Sequence, residues 1–427
     1  MNYPAASQER EHHRPRILQI FSRYREYGGE EGSVYRIGDA LHRDFDIGFF
    51  LASSGDAFSG GVLKKGLSTI KAFSNWTIVD QLRRYQQLGR YDCWLIHNVF
   101  PVMSPAVYEL AFILRIPVIH YLHNYRMGCV NGFFMNHGEP CQRCMHGSFL
   151  PAFQTACWHG SHVQSGIMGA VTSRARGMDL FHRVHHWVAI SSAQKKEHVE
   201  MGIPADRISV IPHFFESKGE APDYPDQGDV LFVGRLSAEK GVDRLLMAWE
   251  AIQDCGRTLW IVGDGPERSK LEEMVRSRSL RSVRFTGFLE QAAMASIWEK
   301  AACSIVPSVW KEPCGMVVLE SWAKGRPVIA HRIGALEEIV SDGTDGLLVP
   351  VDEPGALAEA ILSIFNDPAR GKAMGRAGAE KLRHQYSKQV WQDAIQGVFS
   401  NLPSRNSLHE GQKSKAERRM SISSRDY

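Results

Sequence analysis

Residues 230–265 have the sequence VLFVGRLSAEKGVDRLLMAWEAIQDCGRTLWIVGDG, and this stretch decides the fold class. Two short β-rich runs, Val230–Val233 and Leu259–Val262, flank a run with helical spacing at Val242–Ile252. A strand, a helix and a second strand in this order form the unit from which parallel sheets are built. The stretch therefore predicts an α/β fold with a parallel sheet.

The same alternation continues in both directions, since further β-rich runs are separated by segments with helical spacing. Helices that cover both faces of a parallel sheet produce this pattern. The other predicted strands are Arg16–Phe21, Asp46–Leu51, Cys93–His97, Pro117–Leu122, Trp187–Ile190, Ile208–Ile211, Val283–Phe285, Cys303–Val306, Val328–Ala330 and Leu347–Val349.

One segment interrupts the alternation. Residues 214–227, FFESKGEAPDYPDQ, are rich in Pro, Gly and charge, which indicates a linker. We therefore expect two Rossmann-like domains, 15–213 and 228–386, that face each other across a cleft at the carboxyl ends of their strands. Residues 387–401 predict a helix that crosses back to the first domain, and the polar tail 402–427 is expected to be disordered.

Charge and composition exclude several classes of protein. The 427 residues include 50 Lys and Arg against 47 Asp and Glu, so the net charge of +3 does not suggest a nucleic-acid-binding protein. No apolar run approaches the roughly 20 residues of a membrane span, and the N-terminus lacks the apolar core of a signal peptide. We expect a cytoplasmic protein whose eight cysteines are thiols or metal ligands.

The strongest chemical signal is SVWKEPCGMVVLESWAKG at 308–325. Glu312 precedes a predicted helix, and Glu320 lies inside it. A helix N-terminus binds phosphate through its free backbone N–H groups, and a carboxylate one turn further can accept hydrogen bonds from a ribose diol. The alternative is two solvated helix acids. The free N–H groups would belong to Gly315, Met316 and Val317.

A second signal is FVGRLSAEKG at 232–241, where a strand ends at Gly234 and is followed by Arg235 and Lys240. Glycine lets a ligand approach the backbone, and Arg and Lys are natural partners of a diphosphate. The alternative is an ordinary helix start that Ser237 caps, with Lys240 in solvent.

Two glycine pairs follow predicted strands. Gly263 and Gly265, in IVGDGP, lack the third glycine of a dinucleotide-binding motif and predict a turn near the nucleotide. Gly28 and Gly29 would place backbone N–H groups against a ligand, with a plain tight turn as the alternative.

His123 follows the predicted strand Pro117–Leu122. A polar residue at the carboxyl end of such a strand is expected to point into the cleft. A purely structural histidine is the alternative.

Four cysteines fall within residues 128–160, a segment without periodicity that holds little core of its own. The C-x2-C turn and its two flanking cysteines predict a structural zinc site, whose loss should loosen the acceptor side while donor binding survives. Three histidines are substitute ligands, and an iron–sulfur cluster, a redox pair or four ordinary thiols are the alternatives. The predicted ligands are Cys129, Cys141, Cys144 and Cys157, and the histidines are His137, His146 and His159.

Lysines beside apolar residues indicate weak, reversible binding of the first domain to an anionic membrane. The alternative is a core-facing helix with a solvated basic face. The residues concerned are Leu63, Lys64, Lys65, Leu67, Ile70, Lys71, Phe73 and Trp76.

The motifs GRLSAEKG, VGDGP, EPCGMVVLE and GALEEIVSDGTDGLLV occur in order, and together they resemble the retaining GT-B-fold glycosyltransferases of family 4. The resemblance extends over about residues 15–400 and is most specific in 230–350. It implies that a sugar moves from a nucleotide-sugar to an acceptor hydroxyl with retention of the anomeric configuration.

The resemblance also implies roles for individual residues. Arg235 and Lys240 would hold the diphosphate, Glu320 the ribose, and Glu312 the donor sugar, while His123 would lie near the transferring sugar. Glu31 departs from the family, in which an uncharged polar residue is common. The expected donor-binding residues are Gly28, Gly29, Gly234, Arg235, Lys240, Gly263, Gly315, Met316, Val317 and Glu320.

The expected partners are a UDP- or GDP-sugar and a saccharide or lipid-linked saccharide acceptor in cell-surface or exopolysaccharide synthesis. No Asp-x-Asp pair stands where a metal would bridge the diphosphate, so catalysis is expected to need no cofactor, and the enzyme is expected at the inner membrane face. A sugar-nucleotide 2-epimerase of the same fold and a non-catalytic nucleotide-sugar-binding protein are the alternatives.

Overall fold

A computed structural model describes residues 14–23, 29–53, 71–216 and 221–403. They form two six-stranded parallel sheets and one short antiparallel hairpin. In chain order the strands are β1 (Arg16–Arg23), β2 (Asp46–Ser53), β3 (Cys93–Asn98), β4 (Val118–Tyr121), β5 (Met135–Asn136), β6 (Glu139–Pro140), β7 (His186–Ala189), β8 (Ile208–Val210), β9 (Asp229–Val233), β10 (Leu259–Val262), β11 (Val283–Gly287), β12 (Ala301–Val306), β13 (Val328–His331) and β14 (Gly346–Val349).

Helices connect most of these strands. The α-helices are Gly29–Leu41, Trp76–Gly89, Ala106–Ile113, Leu150–Gln154, His162–Gly177, Leu180–Arg183, Ser192–Glu200, Val242–Glu250, Arg268–Ser277, Gln291–Lys300, Met316–Ala323, Leu336–Ile339, Pro354–Asn366, Pro368–Gln385 and Lys388–Ser400.

The strand order in the first sheet is β2-β1-β3-β4-β7-β8, and that in the second is β11-β10-β9-β12-β13-β14. The twelve strands predicted from the sequence are all present, with ends that differ by at most two residues. The α/β prediction with two parallel sheets is therefore confirmed. The hairpin of β5 and β6 was not predicted, because two residues per strand leave no periodicity to detect.

Apolar side chains cover both faces of the second sheet, as the uninterrupted apolar strands require. On one face the helix Val242–Glu250 buries Leu245, Leu246 and Trp249, whose three- and four-residue spacing follows the helical period. On the other face the helix Met316–Ala323 buries its own apolar stripe around Trp322.

The segment predicted as a linker is fastened to the second sheet at its C-terminal end. Tyr224 donates a hydrogen bond from its hydroxyl to the Ala302 carbonyl at 3.0 Å. The buried guanidinium of Arg326 donates to the carbonyls of Pro222 and Asp223, at 3.2 and 2.7 Å. Residues 217–220 of the same segment lie outside the described residues.

By its internal contacts the chain divides into two compact units. One contains the described residues up to Tyr121 together with His182–Trp187, and the other contains Leu122–Phe181 and the described residues of 188–400. The predicted last helix is present as Lys388–Ser400, and its Trp391 lies 5.3 Å from the ring of Phe214. Its crossing to the first domain and the domain boundaries stay predictions, and residues 404–427 of the tail lie outside the described residues.

No helix in the described part of the chain is both long enough and apolar enough to cross a membrane.

Candidate functional site

The predicted donor-binding segments follow neighbouring strands of the second sheet. Its order is that of a doubly wound sheet, in which the direction of strand addition reverses between β9 and β12. Residues 234–241 follow β9, residues 263–265 follow β10, and residues 307–315 follow β12. Parallel strands end at one edge of a sheet, so the fold itself brings these three segments together at the point where ligands bind in such sheets.

Lys240 and Glu312 form an ion pair at this edge. The Lys240 ammonium donates to both carboxylate oxygens of Glu312, at 2.9 and 3.0 Å. The carboxylate side chain is 9% exposed and the lysine side chain 26% exposed, so neither is a solvated surface group. The structure thus contradicts the alternative interpretations given above, in which Lys240 was in solvent and Glu312 was a solvated helix residue.

A glycine makes this approach of the two segments possible. Gly241 follows Lys240 with φ of +65°, in the left-handed region that favours glycine. A Cβ added at Gly241 would lie 2.0 Å from the Pro307 carbonyl oxygen, which is inside van der Waals contact. Any other residue at 241 would push the Lys240 segment away from the Glu312 loop.

Two further donors orient Glu312. The Ser308 hydroxyl and the Trp310 indole N–H donate to the same carboxylate oxygen, at 2.9 and 2.6 Å. Lys240 also lies 5.4 Å from the centre of the Trp310 ring. A buried carboxylate held by one cation and two neutral donors keeps a fixed orientation.

Arg235 is held by a second carboxylate. Its guanidinium donates to Glu239 at 2.7 Å, and the Ser237 hydroxyl donates to the same oxygen at 2.7 Å. Burial alone raises the pKa of Glu239, but Arg235 and the hydrogen bonds together outweigh it, so the pKa lies below its usual value. Because the Ser237 hydroxyl donates to Glu239, it does not cap the following helix. The Arg235 side chain is half exposed.

The glycines after β9 and β10 bring two backbones into contact. Gly263 has φ of +132°, and a Cβ added there would lie 1.9 Å from the Gly234 carbonyl oxygen. At Gly265 a Cβ would lie 2.4 Å from the Leu236 carbonyl oxygen. Gly263 and Gly265 therefore form a turn packed directly on the Arg235 segment, and the place of this turn near a nucleotide stays a prediction.

The helix predicted after Glu312 begins at Met316, with Gly315 as its N-cap at φ of +79°. A helix that begins here leaves the N–H groups of its first turn without intrahelical partners, and the sequence predicts that Gly315, Met316 and Val317 supply them to a ligand. Glu320 lies one turn inside the helix and is half-buried. An anion placed before this helix would meet a positive dipole end and Lys240 on the adjacent segment.

The remaining predicted residues, Gly28, Gly29 and His123, belong to other segments of the chain. Gly28 lies outside the described residues, and Gly29 is the exposed first residue of the helix Gly29–Leu41, in the first unit. His123 is buried in the second unit, where its ring stacks on that of His213 at a centroid distance of 5.5 Å. The unusual Glu31 is buried and accepts a hydrogen bond from Arg23 at 2.6 Å, which explains a carboxylate there.

Three residues of the site were missed by sequence reasoning: Ser308, Trp310 and Glu239. Each orients a predicted residue through a hydrogen bond. Trp310 precedes Glu312 by two positions, and an aromatic residue with a polar N–H inside a chemical motif is a signal that could have identified it.

Of the residues predicted to contact a membrane, Leu63, Lys64, Lys65, Leu67 and Ile70 lie outside the described residues. Lys71 is exposed, and the Trp76 side chain is 70% exposed. Membrane binding stays a prediction.

Two family models match the chain, each over one of the predicted domains. The model described as "Glycosyltransferase Family 4" matches residues 27–217, and the model described as "Glycosyl transferases group 1" matches residues 227–367. The second range contains every residue of the cluster at the β9 and β12 ends.

Curated proteins and solved structures resemble the chain in the same way. Alpha-D-kanosaminyltransferase of Streptomyces kanamyceticus is 32% identical over 180 residues, which are 42% of this chain and 46% of that protein, so this alignment spans under half of either. The lipopolysaccharide core biosynthesis glycosyltransferase LpsD of Rhizobium meliloti is 28% identical over 69% of this chain and 83% of its own length. Anabaena HepE in complex with UDP-glucose superposes with a TM-score of 0.63 at 18% identity, over 91% of this chain and 100% of that one, which shows a shared fold.

Proposed function

The chain belongs to the GT-B-fold glycosyltransferases of family 4, and we propose that it transfers a sugar from a nucleoside-diphosphate sugar to an acceptor hydroxyl with retention of the anomeric configuration. One observation carries the proposal. Lys240 and the N-terminus of the helix Met316–Ala323 lie on adjacent segments at the β9 and β12 ends, and both favour negative charge.

In this reaction the bond between C1 of the sugar and the β-phosphate oxygen breaks, and C1 bonds to the acceptor oxygen. The acceptor proton passes to the leaving phosphate. Negative charge therefore grows on the β-phosphate in the transition state, and preorganised cations and N–H groups aimed at it are often the largest catalytic term. Lys240, Arg235 and the backbone of Gly315–Val317 are the groups proposed for that task.

The assignment of Glu312 follows from its surroundings. Its two oxygens already accept four hydrogen bonds, two from Lys240 and one each from Ser308 and Trp310. A carboxylate tied in this way suits binding and orientation of sugar hydroxyls better than attack on C1. We therefore favour same-face attack by the acceptor over a covalent glycosyl intermediate. Glu320 is proposed to accept hydrogen bonds from the ribose hydroxyls.

The proposed donor is a UDP- or GDP-sugar, supported by the UDP-glucose complex of a protein with the same fold. The proposed acceptor is a saccharide or lipid-linked saccharide in cell-surface glycan synthesis, supported by the likeness to a lipopolysaccharide core glycosyltransferase. We propose that catalysis needs no metal, because Lys240 and Arg235 supply the positive charge, and that the enzyme works at the inner membrane face.

The test is a screen of nucleotide-sugars by thermal shift, followed by assay of each stabilising donor with glycan and lipid-linked acceptors. A bound donor raises the melting temperature by mass action. We expect release of a nucleoside diphosphate that depends on the acceptor, and NMR of the product should show the anomeric configuration of the donor.

Other outcomes would identify the alternatives. A donor sugar changed at C2 without acceptor would identify an epimerase, and binding without nucleotide release under any condition would identify a binding protein. Glu320→Ala is expected to weaken donor binding by about 1.5–3 kcal/mol through the lost charged hydrogen bonds. Unchanged donor affinity in that variant would contradict the ribose assignment.

A further inference from the structure

The four cysteines of residues 128–160 line one cavity in the second unit. All four are unpaired thiols, two of them buried and two half-buried. The residues that line the cavity include no histidine, so His137, His146 and His159 are not among them. The four cysteines that converge are Cys129, Cys141, Cys144 and Cys157, and the first and last of them are 28 residues apart in sequence.

Backbone turns produce this convergence. Cys141 follows β6, and its N–H donates to the Phe134 carbonyl at 2.7 Å, which closes the hairpin beside Cys129. The Gly147 N–H donates to the Cys144 carbonyl at 3.0 Å and turns the chain after the C-x2-C pair. The Cys157 N–H donates to Ala152 at 3.3 Å, at the end of the short helix Leu150–Gln154.

No disulfide joins these four thiols, and neutral thiols attract one another only weakly. A divalent cation would hold them together, because it binds thiolates and displaces their protons.

We propose that Cys129, Cys141, Cys144 and Cys157 bind one structural zinc ion. Four thiolates are a preferred tetrahedral ligand set for zinc and leave no open position for a substrate. Among the described residues no group of three or more His, Cys, Asp or Glu is already arranged to hold an ion. The thiols must therefore rotate inward to the Zn–S distance of about 2.3 Å when the ion binds.

The segment that the ion would fix reaches the loop of Glu312. Phe133 lies between Cys129 and Cys141, and its ring meets the Trp310 ring edge-on at 5.1 Å. Trp310 in turn donates to Glu312. Gln142, inside the C-x2-C pair, donates to Glu197 at 2.7 Å, and Glu197 forms an ion pair with Lys311. The ion would thus support the two residues that precede Glu312.

This link changes the sequence-based expectation, in which loss of the ion affected the acceptor side alone. The contacts of Phe133 and Gln142 predict a lower turnover as well, because Trp310 loses part of its support. Donor binding should largely persist, because Glu312 holds Lys240 and Glu239 holds Arg235, although the Arg235 guanidinium also lies 5.8 Å from the centre of the Phe133 ring. Only the effect on turnover depends on the proposed transferase function.

The first experiment measures metal in the full-length protein, purified without added metal or chelator. Elemental analysis is expected to give about one zinc per chain. Growth with Co²⁺ should give a protein with sulfur-to-cobalt charge-transfer bands and the visible bands of tetrahedral Co²⁺. Neither readout depends on activity, so each can succeed or fail independently of the proposed function.

Variants assign the ligands. Cys141→Ser and Cys144→Ser are expected to lower the zinc content at least severalfold and to abolish the cobalt bands. Cys255→Ser is the matched control, because Cys255 is a half-buried thiol outside the cavity, and its zinc content should equal that of the native protein. If a ligand variant fails to fold, the cobalt spectrum of the native protein still decides the question.

Several outcomes would overturn the proposal. They are less than about a tenth of a zinc per chain with all four thiols open to titration, disulfides among the four in the purified protein, or iron with acid-labile sulfide. A zinc content unchanged by both ligand variants would also overturn it, because the ion would then lie elsewhere.

Discussion

The Glu312 site and the cysteine cavity both gather polar side chains away from water, but by opposite means. At Glu312 the charge has its partner inside the protein, since Lys240, Ser308 and Trp310 all donate to the carboxylate. In the cysteine cavity the four groups are alike, and the cation beside them, Arg143, is an exposed side chain that donates to Cys141 at 3.4 Å. The first site holds its charge partner without a ligand, whereas the second is proposed to take its charge partner, a zinc ion, from solution.

The two sites also differ in the secondary structure that positions them. Strand ends and glycine contacts position the Glu312 site, so that the sheet fixes its geometry whether or not a ligand is bound. The cysteine cavity is positioned by turns, a hairpin of two-residue strands and a five-residue helix. Regular structure can preorganise a catalytic site, while an irregular segment of this kind gains more from a crosslink that favours one conformation.

The largest expected effect tests the internal ion pair. Lys240→Met should lower kcat by about 10²–10³, the size of effect seen when a preorganised group at developing charge is removed. It also leaves the Glu312 carboxylate buried without its cation, which costs on the order of 3–5 kcal/mol of folding free energy. Steady-state kinetics and chemical denaturation measure the two effects separately.

Two further variants separate catalysis from stability. Adding Glu312→Gln to Lys240→Met removes the buried charge and should restore much of the stability, but none of the turnover. Lys381→Met breaks a similar pair, Lys381 with the buried Asp345 at 3.0 Å, before β14 and away from the β9 and β12 ends. Lys381→Met should lose stability and keep its kcat; a loss of kcat equal to that of Lys240→Met would refute a specific role for Lys240.

The contrast also explains what the sequence could predict. Lys240, Glu312 and Gly263 follow strands whose apolar pattern is plain, so the rules for parallel sheets place them together without any coordinates. Trp310 and Glu239 were missed because an orienting hydrogen bond depends on side-chain direction within a loop, which no periodicity encodes. The cysteine spacing predicted a shared site, but the contact of Phe133 with Trp310 is a tertiary contact with no local signal.

Acid should destabilise both regions, because each contains a buried histidine. His198 stacks on Tyr125, next to the cysteine segment, and burial lowers its pKa to about 4 from 6.5. As the pH falls, the unfolded state therefore binds a proton at this histidine before the folded state does. The contribution of His198 to the free energy of unfolding is complete above pH 6.5 and is lost as the pH falls towards 4. The loss amounts to about 3 kcal/mol at pH 4.

Denaturation of the native protein between pH 4 and 7 measures that slope, and His198→Gln should flatten it. His331 is the comparison in the Glu312 site. Its ring forms a hydrogen bond with the Ser308 carbonyl at 3.2 Å, and burial lowers its pKa too. His331→Gln should change the slope in the same sense. An unaltered slope in His198→Gln would show that the acid sensitivity of the fold has another origin.

A smaller effect is expected where the two regions meet. Trp310→Phe keeps an aromatic ring against Phe133 but removes the N–H that bonds to Glu312, so turnover should fall by about tenfold, or roughly 1.4 kcal/mol. The matched control is Trp260→Phe, which removes an equivalent indole bond to Asp229 at 2.8 Å near the start of β10. Equal turnover in the two variants would mean that the orientation of Glu312 does not limit the reaction.

The smallest expected effect is that of a chelator on donor binding. Lys240 and Arg235 are proposed to supply the positive charge for the diphosphate, so 1,10-phenanthroline or EDTA should change the donor Kd by less than about twofold, or roughly 0.4 kcal/mol. The same treatment should lower the melting temperature once the zinc has left the cysteine cavity, because an ion that binds only the folded state stabilises it. Calorimetric titration of the donor and a thermal melt of one chelated sample measure both. A donor affinity that collapses with chelation and returns with Mg²⁺ would place a metal at the diphosphate, whereas one that returns only with Zn²⁺ would mean that the cysteine segment governs the donor site through Trp310.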